Sequence, residues 1–169
     1  AFYGCSLTSI NIPDSITTIG NGAFENCINL SKVTLSKSLT SLGRRAFTGT
    51  VLKSIMIPKS LTNAGHYENE QHRYSLDGVN YNITYGPFGS QDTLKQVSFE
   101  EGTTVIVGNL FAGCTGIEEI VIPDTVIGME RISFQSESVQ PFCTSAEKPP
   151  IKLTPQVLAE LSMAMARGT

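Results

Sequence analysis

The chain repeats itself with a period of about 23 residues, and this repetition constrains its fold more than any other feature. Phenylalanines recur at spacings of 22 or 23 residues, with one longer gap of 41: Phe2, Phe24, Phe47, Phe88, Phe111 and Phe134. The longer gap equals one repeat with 18 residues added (41 − 23 = 18). Periods of this size are typical of solenoids, in which each unit buries its apolar edge against the next unit.

Each repeat also carries one segment in which apolar and polar residues alternate. The five segments each begin with Leu or Ile and end with Ile, Leu or Phe: Leu7 to Ile12, Leu30 to Leu35, Leu52 to Ile57, Leu94 to Phe99 and Ile117 to Ile122. A period of two indicates a half-buried strand. Pro13, Pro58 and Pro123 follow three of the segments and lack the backbone donor that would extend the strand. The sequence therefore predicts one short strand per repeat, with stacked strands about 4.8 Å apart.

A second apolar pair follows in each repeat and ends near a glycine, as at Gly20, Gly43 and Gly108. Because glycine tolerates positive φ, we expect the chain to turn back sharply at these glycines. The phenylalanine, isoleucine and leucine columns are predicted to stack into one continuous core.

The first repeat begins AFYGCSLTSINIPDSITTIG, with Ala-Phe, Cys, Leu, alternating Ile, Pro and Ile-Gly in order. This text resembles the BspA-type leucine-rich repeats of bacterial and protozoan surface proteins, and the resemblance runs from Ala1 to about Phe134 with one interruption. It implies a right-handed solenoid on secreted or cell-wall-attached proteins that serve in adhesion or protein binding, with no catalytic residues. Thr50 and Gln91 depart from the family pattern at the cysteine position, and Glu130 departs from it at the turn glycine.

The sequence predicts three segments. Residues 1–134 form a β-rich, right-handed leucine-rich repeat solenoid with an irregular insertion at 66–87, residues 135–153 form a connector, and residues 154–168 form a short C-terminal helix. Thr154 and Pro155 are typical of a helix start, and four apolar residues share one helical face: Val157, Leu158, Leu161 and Met165. Such a helix would cap the open end of the array. The alternatives are a poorly ordered tail or non-native sequence.

The insertion at residues 66–87 contains both histidines and four of the five tyrosines. Asp77-Gly78, between two alternating segments, predicts a hairpin. Loops on rigid scaffolds often carry binding function, and tyrosine is an efficient interface residue. The candidate ligand-binding residues here are Tyr67, His72, Tyr74, Tyr81 and Tyr85. The alternative is that the tyrosines only pack the hairpin onto the solenoid.

Strand geometry predicts a second candidate surface, because residues that flank a buried strand position point outward. One such column contains Ser9, Lys32, Ser54, Gln96 and Glu119, and a second contains Asn11, Thr34, Met56, Ser98 and Val121. The candidate ligand-binding residues of these columns are Lys32, Thr34, Met56, Gln96 and Glu119. Charge is divided along the chain, since residues 1–65 carry six Lys/Arg and two Asp/Glu (+4) and residues 66–169 carry six and thirteen (−7). This division could steer a partner, although a solvated surface without a partner is the simpler explanation and the one we favour.

Several classes of function are not supported by the sequence. A net charge of −3 argues against nucleic acid as a partner, and no run approaches the 18 consecutive apolar residues of a membrane span. Three cysteines share one repeat position, namely Cys5, Cys27 and Cys114. We expect them to be buried thiols rather than disulfides or zinc ligands. We expect no cofactor and no enzymatic activity, because no nucleophile is accompanied by an orienting base.

Three hypotheses of function remain. The first is non-catalytic recognition of an extracellular protein or glycan by a secreted or cell-surface array, an expectation of location that follows from the family resemblance. The second is a structural spacer within a larger surface protein. The third is a substrate-positioning module of a secreted enzyme. The chain begins at Ala1 with no leader, so its sequence leaves secretion open, as it does the ligand and the oligomeric state.

Overall fold

The computed structural model describes residues 1–76, 79–130 and 151–153, and within those ranges all regular structure is β-strand. The strands in chain order are β1 (Ser9–Asn11), β2 (Thr18–Ile19), β3 (Lys32–Thr34), β4 (Ser41–Leu42), β5 (Ser54–Ile57), β6 (Asn63–Ala64), β7 (Tyr67–Leu76), β8 (Val79–Tyr85), β9 (Gln96–Phe99), β10 (Val105–Ile106), β11 (Glu119–Ile122), β12 (Gly128–Met129) and β13 (Ile151–Leu153). They form a β-solenoid, as the sequence predicted. Its coils one to five are numbered here from their first residues: Phe2, Phe24, Phe47, Phe88 and Phe111.

The alternating segment of each coil forms the predicted strand, and these strands stack in parallel. Ile10 of β1 pairs with Val33 of β3, while Ile55 of β5 pairs with Val97 of β9, which pairs in turn with Ile120 of β11. The backbone between β3 and β5 is bridged by a bond from the Val51 amide to the Leu30 carbonyl, 3.0 Å. The two residues of each pair occupy equivalent positions in successive repeats. Residues that share a repeat position therefore lie in one column of the structure.

The second apolar pair of each repeat forms a second parallel ladder on the next side of the coil. Ile19 of β2, Leu42 of β4 and Ala64 of β6 are buried and lie in register, and Ile106 of β10 pairs with Met129 of β12. Among the described residues, no pairing joins β6 to β10. The insertion leaves the solenoid immediately after β6, so it emerges where this ladder is divided.

The predicted phenylalanine column is a continuous ring stack through coils one to five. Successive ring centroids are 5.2 Å apart, and the interplanar angle grows from 2° to 20° along the stack. Phe47, Phe88 and Phe111 are fully buried, whereas Phe2 is 44% exposed because it has a ring on one side only. Beside this stack lie the buried leucines Leu30, Leu52 and Leu94. Phe134 lies outside the described residues.

The turns differ from the prediction in where positive φ occurs. Gly20 and Gly43 do not adopt positive φ. Apart from Gly102, the left-handed residues of the described ranges lie two positions before or after a phenylalanine: Gly4, Gly22, Asn26, Arg45, Gly49, Ser90, Asn109 and Gly113. Gly43 is required for a different reason, because a Cβ at this position would overlap the backbone of Asn21 in the preceding coil. The glycine therefore permits two coils to approach closely.

The cysteine column contains free thiols within the described residues, as predicted. Cys27 and Cys114 are buried, and Cys27 donates from Sγ to the Phe2 carbonyl at 2.9 Å. Where the column departs from cysteine, a polar pair replaces the thiols. Gln91 donates from Nε2 to the Phe47 carbonyl and to Thr50 Oγ1, and Thr50 Oγ1 donates to the same carbonyl at 2.8 Å. The two departures lie on adjacent coils and are bonded to each other.

The insertion forms the predicted antiparallel hairpin, with Tyr74 opposite Tyr81 and Leu76 opposite Val79. Its connecting residues, 77 and 78, lie outside the described residues. The last three residues of the predicted connector form β13, which pairs antiparallel to β11 with Leu153 opposite Ile120. The rest of the connector and the predicted helix at residues 154–168 also lie outside the described residues.

Candidate binding surfaces

The outward residues of β1, β3, β5, β9 and β11 form one continuous surface, called here the outer sheet face. Strand pairing places Ser54 beside Gln96 and Gln96 beside Glu119. Lys32, Thr34, Met56 and Gln96 are exposed, and Glu119 is half-buried. The structure therefore brings the five predicted residues of these columns onto one face, at the register expected from the repeat.

Met56 is the principal apolar feature of the outer sheet face. Its side chain is 61% exposed, and its register partner on β9 is Ser98. Exposed residues nearby are small or polar, among them Ser54 on the same strand and Thr34 on β3. An apolar side chain within a polar surround resembles the centre of a protein interface, where an apolar contact is ringed by polar ones.

Coils four and five carry paired polar groups on this surface. The Lys95 ammonium lies 3.0 Å from a Glu118 carboxylate oxygen, and both side chains are largely exposed. Gln96 donates from Nε2 to Glu119 Oε2 at 2.9 Å. Both contacts join equivalent or adjacent positions of neighbouring coils. They fix the orientation of these side chains, although such exposed pairs add little to stability.

The hairpin register pairs the four candidate tyrosines across the two strands. Tyr67 lies opposite Tyr85, and Tyr74 lies opposite Tyr81. His72 lies in the irregularity between Asn69 and Arg73, where the pairing register shifts.

Tyr85 lies at the base of the hairpin and packs on the solenoid. Its side chain is half-buried, and its ring occupies the space in which a Cβ of Gly113 would lie. Its Cβ is also close to Gly89. Tyr85 therefore packs the hairpin onto the solenoid, which is the alternative to ligand binding that the sequence left open. Gly113, at φ 77°, is the glycine that makes room for the ring.

The described residues offer little for catalysis. Among them, no group of three or more His, Cys, Asp or Glu side chains is placed to hold a metal ion. Burial raises the pKa of the Cys114 thiol from its ordinary value of 9.0 to about 12, so this thiol is protonated at neutral pH. A protonated, buried thiol is a poor nucleophile.

Comparison with known sequences identifies the family to which the repeats belong. The profile of the BspA type leucine rich repeat region matches in six copies, over residues 1–73 and 81–147. The chain belongs to this leucine-rich repeat family. No curated protein matches it. Among the described residues of this leucine-rich repeat chain, no helix is long and apolar enough to cross a membrane.

Three solved structures match this chain. A leucine-rich repeat protein from Bacteroides ovatus is 29% identical with a TM-score of 0.52, and the match covers 79% of this chain and 34% of that one. The chain thus spans about a third of that protein. A leucine rich cell surface protein from Faecalibacterium prausnitzii is 24% identical (TM-score 0.39, covering 79% and 40%). The pneumococcal vaccine antigen PcpA is also 24% identical (TM-score 0.36, covering 72% and 41%).

One surface feature of the repeats was missed by the sequence analysis. A depression of about 370 Å³ lies at the corner between coils one and two, lined by Asn21, Gly22, Glu25, Arg44 and Arg45. Within it, Arg45 forms an ion pair with Glu25, and Asn21 Oδ1 accepts a hydrogen bond from the Arg44 amide. The sequence signal was present, since these residues occupy equivalent corner positions of successive repeats.

Proposed function

We propose that this leucine-rich repeat chain is a non-catalytic recognition module that binds an extracellular protein or glycan at the cell surface. Two parts of the chain support the proposal: the outer sheet face around Met56, and the hairpin strands that contain Tyr67, Tyr74 and Tyr81. Family membership supports a secreted or surface-attached parent and a repeat array that binds other molecules. The observation that carries the proposal is Met56, an apolar side chain that is 61% exposed among mostly polar outward residues.

Rigidity favours recognition by this surface. The ring stack and the parallel ladders hold the outer residues in fixed columns. The surface therefore needs little further ordering when a ligand binds. A preorganised surface loses less conformational entropy when a ligand binds. The hairpin adds a different kind of surface, since tyrosine gives a large contact area with few rotatable bonds.

The test is a binding screen against immobilised extracellular-matrix proteins, plasma proteins and mucin glycans at two salt concentrations. Each retained ligand is then measured with Met56→Ser and with the triple variant Tyr67→Ala/Tyr74→Ala/Tyr81→Ala. Ile28→Ser is the matched control, because Ile28 is 67% exposed and lies in a turn away from the outer sheet face.

We expect a saturable ligand whose affinity falls at least tenfold in one of the two test variants and is unchanged in Ile28→Ser. If the folded chain binds no ligand in the screen, the result would contradict a recognition function and favour a structural spacer. A ligand lost equally in all variants would place the binding surface elsewhere. Turnover of any ligand would contradict the non-catalytic assignment.

A further inference from the structure

Four lysines surround the part of the outer sheet face that contains Met56. Lys32 begins β3 and Lys53 immediately precedes β5, while Lys37 and Lys59 lie in the turns that follow these two strands. All four are exposed. Adjacent strands lie about 4.8 Å apart, and the two lysines of each coil are five or six positions apart along the chain, a span of roughly 15–20 Å. The lysines thus form two short rows across coils two and three, called here the lysine frame.

No ammonium group of the lysine frame forms an ion pair within the described residues. The ion pairs there are Arg45 with Glu25 and Lys95 with Glu118, and neither involves a lysine of the frame. Two carboxylates do lie beside the second row, since Asp14 accepts a hydrogen bond from the Lys37 amide at 2.8 Å and Glu100 accepts one from the Lys59 amide at 3.0 Å. The positive charge of the frame is therefore strongest at Lys32 and Lys53.

Charge changes sign along the stack at the next two coils. The positions equivalent to Lys37 and Lys59 are Glu101 and Asp124, and those equivalent to Lys32 include Gln96 and Glu119. Glu101 and Asp124 are exposed. An acidic ligand is attracted to coils two and three and repelled by coils four and five. This polarity limits where along the face such a ligand can lie.

We infer that the lysine frame receives an acidic peptide segment of a partner protein, with carboxylates at both ends and apolar residues between them. The inference rests on the proposed function and specifies the partner chemistry of the outer sheet face. Met56, Thr34 and Ser54 lie between the two rows and contact the middle of the segment. The carboxylates meet Lys32 and Lys53 at one end and Lys37 and Lys59 at the other.

Met56 favours a peptide over an anionic glycan as the ligand. A glycan chain presents hydroxyl and sulfate or carboxylate groups along its length, so it gains little from an exposed thioether side chain at the centre of the site. A peptide can place an aliphatic residue there and bury apolar area, which favours binding. The spacing of the rows also matches acidic residues about five positions apart in an extended chain.

The probe is a fluorescein-labelled synthetic peptide, Asp-Asp-Ser-Leu-Val-Leu-Ser-Asp-Asp, and binding to the full chain is measured by fluorescence anisotropy at 50 mM and 300 mM salt. A second probe replaces each Asp with Asn, and a heparin-derived oligosaccharide serves as the anionic glycan. The test variants are Lys32→Glu/Lys53→Glu and Met56→Ser. Arg44→Glu and the pair Arg44→Glu/Lys95→Glu are the charge-matched controls, since both residues are exposed and lie outside the frame.

We expect the acidic peptide to bind at least tenfold more tightly than its Asn counterpart, and to weaken at higher salt. Affinity should fall at least tenfold in Lys32→Glu/Lys53→Glu and about threefold in Met56→Ser, with less than a twofold change in Arg44→Glu. Equal binding of the two peptides would overturn the inference. Equal losses in the double test variant and its charge-matched control would also overturn it, because net charge alone would then explain the binding.

Binding of the oligosaccharide, lost in the lysine variants but unaffected by Met56→Ser, would overturn the peptide assignment and make the frame a glycan site. The inference and the proposed function fail separately. If a ligand from the screen requires Met56 but is indifferent to Lys32→Glu/Lys53→Glu, the outer sheet face binds and the acidic partner is wrong. If no ligand binds in the screen and the acidic peptide does not bind, both the proposed function and the inference are wrong.

Discussion

Truncation of Phe47 to alanine should be among the most destabilising single changes in the solenoid. Phe47 is fully buried and stacks on Phe24 and Phe88, each at 5.2 Å. Removal of a buried phenylalanine side chain costs about 3–5 kcal/mol. With a ring on both sides and no exposed surface, Phe47 should lie at the upper end of that range. We expect a loss of about 4 kcal/mol in the free energy of unfolding.

Phe2 is the matched comparison in the same column. It stacks on Phe24 at 5.2 Å and is 44% exposed, so close to half of its ring area is in water before truncation. Phe2→Ala should therefore cost about 2 kcal/mol. Phe47→Leu, which keeps most of the volume but removes the ring, should cost between 1 and 2 kcal/mol, or roughly the penalty of a reshaped core side chain.

Urea denaturation followed by circular dichroism measures these differences. With a slope of about 2 kcal/mol per molar urea, Phe47→Ala should lower the midpoint by about 2 M and Phe2→Ala by about 1 M. Equal midpoints for the two alanine variants, or a shift below about 0.5 M for Phe47→Ala, would refute the ring stack as the centre of the core. A changed slope would mean that the coils unfold separately.

Three further predictions concern individual repeat positions. Gly43→Ala should lower the thermal midpoint by several degrees while Gly20→Ala leaves it nearly unchanged, because an added Cβ meets the Asn21 backbone at Gly43 and nothing within 4 Å at Gly20; equal effects would contradict the close approach. Gln91→Leu should lower the free energy of unfolding, measured by urea denaturation, by about 1–3 kcal/mol. The reason is that the buried Thr50 hydroxyl and Phe47 carbonyl each lose a hydrogen-bond donor. An unchanged free energy of unfolding would mean that the polar pair contributes nothing to stability. Cys114 should resist iodoacetamide at pH 8 in the folded chain, as read by peptide mass mapping, whereas rapid labelling would contradict its burial. Because its pKa is raised to about 12 by folding, the unfolded chain ionises this thiol first, and its contribution to stability should decline as pH rises above 9.0.

The sequence predicted the solenoid because the repeat period fixes which residues become neighbours. Once Ile10 and Val33 share a repeat position, stacking places them side by side, and the same argument places Met56 and Lys32 on the outer sheet face. The hairpin also followed from local chemistry, since Asp77-Gly78 between alternating segments leaves few other conformations.

The turns and the polar core could not be predicted in the same way. Gly43 was assigned a turn by its conformational freedom, but its real requirement is the approach of the backbone of Asn21 in another coil. Non-glycine residues such as Arg45 and Asn109 adopt positive φ because the packed coils impose it. The bond between Gln91 and Thr50 depends on two departures that are 41 residues apart, and single-repeat reasoning treats each of them as a defect.

The central claim is that ligands contact the outer sheet face around Met56, and oxidative footprinting measures this most directly. The chain is exposed to a brief pulse of hydroxyl radicals alone and with a saturating amount of the ligand retained most strongly in the screen, and oxidation of Met56 is compared with that of Met129. Met56 is 61% exposed, whereas Met129 packs partly against the core. The account predicts that the ligand lowers Met56 oxidation severalfold and leaves Met129 unchanged. Undiminished oxidation of Met56 in the saturated complex would contradict it.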